Sequence, residues 1–268
     1  MRISKSSSGA SPLHGRVLIT GGTSGIGLAF AKALAARGCS PVLVARSQDR
    51  LDSTKRDIEA QYGVECEILR ADLSLEQGIA DVAERLGSSD SPIDVFVNNA
   101  GQGLYHKLAT TDTQPLIDGI DLMATTPVRL GAVAGAAMKE RGHGVIINTA
   151  SVSSLVSMGL YSAIKSLVRV WSTSYAIELA PAGVQVVTFM PGWVRTEFHE
   201  RAGKKTSSLP GFLWLNADRI VRECLNDVDR GKTYSVPSKR YKFIAALIKF
   251  APRKGVDAVT MRINKSRD

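Results

Sequence analysis

Short runs of apolar and β-branched residues alternate along this chain with stretches in which apolar positions return every three to four residues. The runs fall near 16–20, 41–45, 64–70, 93–97, 144–149 and 184–189, with a short further one at 233–236. They are apolar at successive positions, as in Val95-Phe-Val97 and Val145-Ile-Ile147, which marks strands buried on both faces. Helical periodicity occupies 25–37, 47–61, 75–86, 112–140, 159–180 and 216–229. Strand and helix in strict alternation predict an α/β fold, a doubly wound parallel sheet of six to seven strands with helices on both faces.

Composition narrows the setting. With 268 residues and 44% hydrophobic content, the chain can bury one substantial core. We read residues 15–237 as a single domain, 1–14 as a disordered leader without a secretory h-region, and 238–268 as a basic tail. No apolar run approaches the ~18 residues that span a bilayer. Cys39, Cys66 and Cys224 are scattered and lack metal-ligand spacing, so the expectation is reduced thiols, a cytoplasmic setting and no metal.

The net charge of +9 is concentrated at one end: 232–268 holds ten Lys/Arg against two Asp. Without an aromatic platform or recognition motif, this charge does not read as nucleic-acid binding. Within it, Tyr241–Phe250 has a wide apolar face flanked by lysines. An anionic membrane surface, a partner subunit or the body's own substrate mouth could each cover such a face.

The candidate chemistry lies at the ends of the strands. The first run stops at Gly21-x-x-x-Gly25-x-Gly27, and a helical segment follows. Strand, glycine turn and helix bring backbone N–H groups to a phosphate in Rossmann-type folds, although the spacing alone also fits a plain turn. In dinucleotide folds an acid about 20 positions further on takes the ribose hydroxyls. Here Ala45 and then Arg46 stand in that place, which favours a 2′-phosphate and so NADP(H). Asp72-Leu73 follows the third strand and Asn98-Asn99-Ala100-Gly101 the fourth, all on one edge of the sheet. The fifth strand leads to Ser151, and Tyr161 and Lys165 then stand four apart on one helix face. An ammonium beside a phenol favours the phenolate, and a serine hydroxyl can hold a carbonyl oxygen: the set suits proton transfer to a carbonyl as hydride arrives.

Over residues 14–200 the chain resembles the short-chain dehydrogenase/reductase family in its compact single-domain form. Thr20–Gly27 matches the TGxxxGxG cofactor turn, which implies cofactor contacts for Gly21, Thr23, Ser24, Gly25, Ile26 and Gly27. Asp72-Leu73 matches the adenine-side contact, Asn98–Gly101 the NNAG element, and Tyr161 with Lys165 the YxxxK pair. Pro191-Gly192-Trp193-Val194-Arg195-Thr196 matches the segment that lies against the nicotinamide, implying contacts from Pro191, Gly192, Val194 and Thr196. The resemblance makes Tyr161 the acid/base, Lys165 the holder of the nicotinamide ribose and Ser151 the orienter of the carbonyl, with Ser153 in reserve.

Two departures stand out. Met123 occupies the place of the family's usual asparagine, where a thioether cannot make an amide's hydrogen bonds, and the Ser151–Tyr161 gap is about three residues short. They motivate the alternative of an NADP(H)-binding interaction subunit with little or no catalysis. The leading expectation is an NADP(H)-dependent oxidoreductase that interconverts a carbonyl and a secondary alcohol. The family's substrate lid falls at 197–215, where Phe198, Leu209, Phe212, Leu213 and Trp214 suit a lipophilic substrate of steroid, retinoid or acyl type. The resemblance also implies a homodimer or homotetramer paired through 112–140 and 159–180.

Overall fold

Val17, Leu18 and Ile19 are completely buried in strand β1 (Arg16–Thr20), and the architecture grows outward from that strand. The structure, a computed structural model, describes residues 11–104, 106–195 and 211–252. Around β1 the chain runs through α1 (Gly25–Ala35), β2 (Ser40–Ala45), α2 (Gln48–Tyr62), β3 (Glu67–Arg70), α3 (Glu76–Gly87), β4 (Val95–Asn98) and α4 (Gln114–Ile120). It continues through α5 (Thr126–Arg141), β5 (Gly144–Thr149), α6 (Gly159–Leu179), β6 (Val184–Phe189), α7 (Ala217–Asp229), β7 (Tyr234–Ser235) and α8 (Lys239–Phe250).

The seven strands are all parallel, in the order β3-β2-β1-β4-β5-β6-β7. The winding direction reverses between β1 and β4, and such a switch point opens a crevice at the strands' carboxyl ends. Alternate residues feed two cores. Val17, Ile19, Val97 and Ile147 meet Phe30 of α1 and Ile220 and Leu225 of α7. Leu18, Val44, Phe96 and Ile146 meet Val82 of α3, Leu130 of α5 and Leu179 of α6.

One rung of the sheet is polar. Asn98, Asn148 and Thr188 are register partners across β4, β5 and β6. Asn98 Nδ2 donates to Asn148 Oδ1 (3.2 Å) and to the Pro127 carbonyl (2.8 Å). Asn148 Nδ2 and Thr188 Oγ1 both donate to Ser172 Oγ of α6, at 3.1 and 2.9 Å. All four side chains are buried, and the chain of bonds satisfies them.

The helix expected over 112–140 is interrupted. Between α4 and α5 lies a π turn, Asp121–Thr125, closed by the Thr126 N–H on the Asp121 carbonyl. Pro127 supplies the cause: it has no N–H, so the ordinary i→i−4 bond cannot form there. Gly131 and Gly135 of α5 make room for two rings of α6. A Cβ on Gly131 would lie 2.5 Å from Trp171, and one on Gly135 would lie 1.8 Å from Tyr175. The two α6 rings stack at 5.4 Å, and Tyr175 Oη donates to the Gly131 carbonyl at 2.9 Å.

At the start of the chain, residues 11–14, grouped by composition with the leader, are held to the body. Leu13 is buried, its carbonyl accepts from Cys39 Sγ (3.6 Å), and Ser11 Oγ donates to Asp229 (2.7 Å). The rest of the expected leader lies outside the described residues. The three cysteines are free and buried.

Candidate active site

At the end of β1 the chain reverses through Gly21, whose φ of 69° lies in the left-handed region that favours glycine. The N–H groups of Gly21 and Gly22 both donate to the Val44 carbonyl at the end of β2 (2.9 and 3.2 Å). Thr20 Oγ1 accepts the N–H groups of Asn99 and Ala100 (2.9 and 3.0 Å), and Asn99 Nδ2 donates to the Thr20 carbonyl (3.1 Å). The ends of β1, β2 and β4 are thereby stitched into one floor.

On that floor α1 begins with an open N-terminus. The side chain of its N-cap Ser24 caps nothing, and the first turn carries no acid. Gly27 lets the helix sit down on the turn, since a Cβ there would lie 2.1 Å from the Gly21 carbonyl oxygen. Free N–H groups at a helix start with no competing carboxylate make a seat for an anion, and a pyrophosphate fits it.

The cleft above has a volume of about 1340 Å³. At one end Arg46, Ser47 and Arg50 line it, where Ala45 stands in place of an acid. Asp72 and Leu73 are nearby on its wall. Burial raises the Asp72 carboxyl pKa, but hydrogen bonds from Ser74 N and Oγ (3.0 and 2.7 Å) and the Arg46 charge outweigh it. The carboxyl is held below its usual range.

At the other end stand Ser151, Tyr161 and Lys165. The short gap between Ser151 and Tyr161 is bridged by one 3₁₀ turn, Val152–Leu155. Ser151 Oγ accepts from Ser153 N (3.1 Å) and Ser153 Oγ (2.9 Å), and it donates to the Pro191 carbonyl (3.5 Å). Lys165 Nζ lies 5.8 Å from the centre of the Tyr161 ring and donates to the Thr149 carbonyl (2.9 Å). Desolvation lowers this buried amine from 10.5 to about 8. Met123 is completely buried in an apolar cluster with Leu104, Ala124 and Ile164, against which Tyr161 packs. Its sulfur accepts one weak bond, from Gln102 N at 3.5 Å.

Most of the site residues read from sequence line this one cleft: Gly21, Thr23, Ser24, Gly25, Ile26, Arg46, Asp72, Leu73, Asn99, Ala100, Gly101, Ser151, Tyr161, Lys165, Pro191, Gly192 and Val194. Gly27 and Asn98 are not on its wall. Gly27 is buried under the turn, and the Asn98 amide points into the polar rung, so both build the site from behind. Thr196 and most of the expected lid, 197–215, lie outside the described residues. Among the described residues no cluster of His, Cys, Asp or Glu could hold a metal.

The sequence left the cover of 241–250 open among three surfaces, and the structure lays its inner face on the body as the cleft's outer wall. Tyr241, Ile244, Leu247 and Ile248 of α8 line it together with Leu213. Tyr241 is buried against Gly192, where a Cβ would lie 2.1 Å from the ring. Its hydroxyl donates to the Leu213 carbonyl (2.8 Å) and accepts from Trp193 N (3.2 Å). The apolar spacing 241/244/245/248 in α8 was the available signal, but its docking place, about 50 residues back, was not visible.

The family model described as short chain dehydrogenase matches residues 15–207. A very-long-chain 3-oxoacyl-CoA reductase of Anas platyrhynchos is 34% identical over 255 residues, which cover 92% of this chain and 79% of the relative. Among solved structures, a short-chain dehydrogenase from Sphingobium yanoikuyae in complex with NADPH superposes with a TM-score of 0.80 at 31% identity. The match covers 89% of this chain and 96% of the other. A bulky-bulky ketone specific alcohol dehydrogenase from Comamonas testosteroni superposes with a TM-score of 0.75 at 28% identity, covering 89% and 95%.

Proposed function

Because the chain belongs to the short-chain dehydrogenase family of oxidoreductases, we propose that it interconverts a carbonyl and a secondary alcohol with NADP(H) on a lipophilic substrate. The observation that carries this reading is the pairing of Tyr161 with buried Lys165 in the same cleft that the glycine turn floors.

Bound in the cleft, a nicotinamide supplies or takes up the hydride. The chain's own residues hold it and handle the proton. The open start of α1 and the Gly21 turn take the pyrophosphate, while Arg46 takes the 2′-phosphate. The Sphingobium yanoikuyae relative, solved with NADPH, supports the same cofactor choice.

In the reducing direction Tyr161 Oη gives its proton to the carbonyl oxygen while carbon gains hydride, and oxidation runs the two transfers in reverse. With a pKa lowered only to about 8, Lys165 is mostly protonated at pH 7. That cation favours the phenolate and so eases the transfer. Ser151 turns its one proton from the long bond to the Pro191 carbonyl onto the substrate oxygen, and Ser153 holds Ser151 in place. Lys165 is anchored by the Thr149 carbonyl, a bond in which position 123 takes no part, so we read Met123 as compatible with catalysis.

The substrate class follows from the outer wall, where Leu213, Ile244, Leu247 and Ile248 present apolar surface. The relatives support a bulky or acyl compound, one being named for very-long-chain 3-oxoacyl-CoA and another for bulky ketones. The test is consumption of NADPH with a panel of lipophilic ketones, aldehydes and 3-oxoacyl thioesters. Tyr161→Phe should bind NADPH as the parent does and lose at least a hundredfold in kcat, the scale of acid–base catalysis. Parent-like turnover in that variant sinks the assignment.

A further inference from the structure

Helix α8 presents two faces of different character. Tyr241, Ile244 and Ala245 turn inward on the core, whereas the outward stripe is Lys239, Lys242, Phe243, Ala246, Lys249 and Phe250. On that side Phe243 is 70% and Phe250 81% exposed, and at the helix edge Leu247 is 57% exposed. Arg240 hydrogen-bonds to the carbonyl of Phe212, which is itself 63% exposed, and so extends the apolar surface. The helix holds four cations and no acid. The sequence beyond it, 253–268, adds five Lys/Arg against two Asp. Monomeric soluble surfaces seldom combine aromatic exposure and single-sign charge in this way without a partner.

We propose that this face docks on an anionic lipid surface, with Phe243 and Phe250 at the headgroup level and the lysines against the phosphates. The charge complementarity selects that occupant: an aromatic and lysine stripe on a 12-residue helix, too short to span, is the composition of an interfacial helix. The inner side of the same helix walls the cleft through Ile244 and Ile248. Docking therefore sets the mouth of the cleft at the bilayer, and a lipophilic substrate enters without crossing water. This inference goes beyond the reductase reading and can fail independently of it.

The experiment is co-sedimentation of the full chain with phosphatidylcholine vesicles, with and without phosphatidylserine, at low and high salt. We expect binding to the serine-containing vesicles that weakens as salt rises. Each cation near such a surface raises partitioning about fivefold, so Lys242→Gln/Lys249→Gln should bind about twenty-five-fold more weakly. Phe243→Ser/Phe250→Ser should lose at least tenfold on the same vesicles, with turnover of a water-soluble ketone unchanged. Equal binding to neutral and anionic vesicles, or parent-like binding of both variants, overturns the proposal. So does a parent oligomer that the phenylalanine variant dissociates, by light scattering, since the face would then cover a protein. Absent turnover with intact vesicle binding would defeat the reductase reading alone.

Discussion

Replacing Lys165 by Met should destroy turnover and make the cofactor-free protein more stable at neutral pH. Burial moves this amine from 10.5 in the unfolded chain to about 8 in the native state. That lowering costs the native state about 3 kcal/mol at pH values below both. The sign follows from proton linkage. The unfolded chain holds the proton more tightly, so the cost is complete below pH 8, is relieved as pH rises from 8 to 10.5, and vanishes above. Methionine fills similar volume without charge, but it leaves the Thr149 carbonyl without the 2.9 Å bond from Nζ. An orphaned buried acceptor costs about 1–3 kcal/mol, so the net gain at pH 7 is about 1 kcal/mol. In a chain of this size that raises the melting temperature by about 2–4 °C. Between pH 7 and pH 9.5 the lysine's burden falls by about 2 kcal/mol, and the order of the two proteins should invert. Denaturant melts of both proteins at the two pH values read the double difference, in which all other titrating groups cancel. A variant less stable at pH 7, or a difference that ignores pH, would refute the assignment of Lys165 as a cation held against its solvation.

Three further expectations follow from the geometry. Gly27→Ala puts a methyl 2.1 Å from the Gly21 carbonyl oxygen and must lift α1 off the turn. It should weaken NADPH binding at least tenfold by nucleotide fluorescence, and parent-like affinity would count against the cradle. If Arg46 takes the 2′-phosphate as proposed, Arg46→Ala removes a charge-assisted contact of about 1.5–3 kcal/mol, so NADPH affinity should fall about ten- to a hundredfold while NADH affinity stays level. An equal loss for both nucleotides would remove Arg46 from the 2′-phosphate. Gly192→Ala collides with the Tyr241 ring and breaks its bonds to Leu213 and Trp193, so amide exchange in α8 should accelerate. Unchanged protection would show that this contact does not hold the helix.

The elements were largely legible because each strand is a buried run and each helix an amphipathic one. β1, β5 and β6 fall where the apolar patterns place them. What the patterns miss comes from contacts distant in sequence or from a missing hydrogen bond. Pro127 splits one helical pattern with a π turn, although periodicity continues across it. That Trp171 and Tyr175, 40 residues on, rest on Gly131 and Gly135 is written in neither segment alone. At the site, the residues at strand ends were readable as a set because a parallel sheet brings all carboxyl ends to one edge. Asn98 was grouped with them by motif, yet its amide turns inward, a choice set by Pro127 and Asn148 rather than by its neighbours. The α8 wall depends on Tyr241 meeting Gly192, which neither segment announces.

The polar rung of Asn98, Asn148, Thr188 and Ser172 also bears on how the chain folds. Its bonded partners are 16 to 50 positions apart, so no local piece of chain can form it. A purely apolar strand can slip two places and keep its burial, but a slip at this rung strands an amide in the core. The β5–α6–β6 part has the shorter separations and so the smaller loop-closure cost, and β4 joins it across the longest one. That closure joins the half that carries Tyr161 and Lys165 to the half that carries the glycine turn. The rung thereby fixes register: a chain that has buried it with its bonds made has aligned the two halves of the cleft.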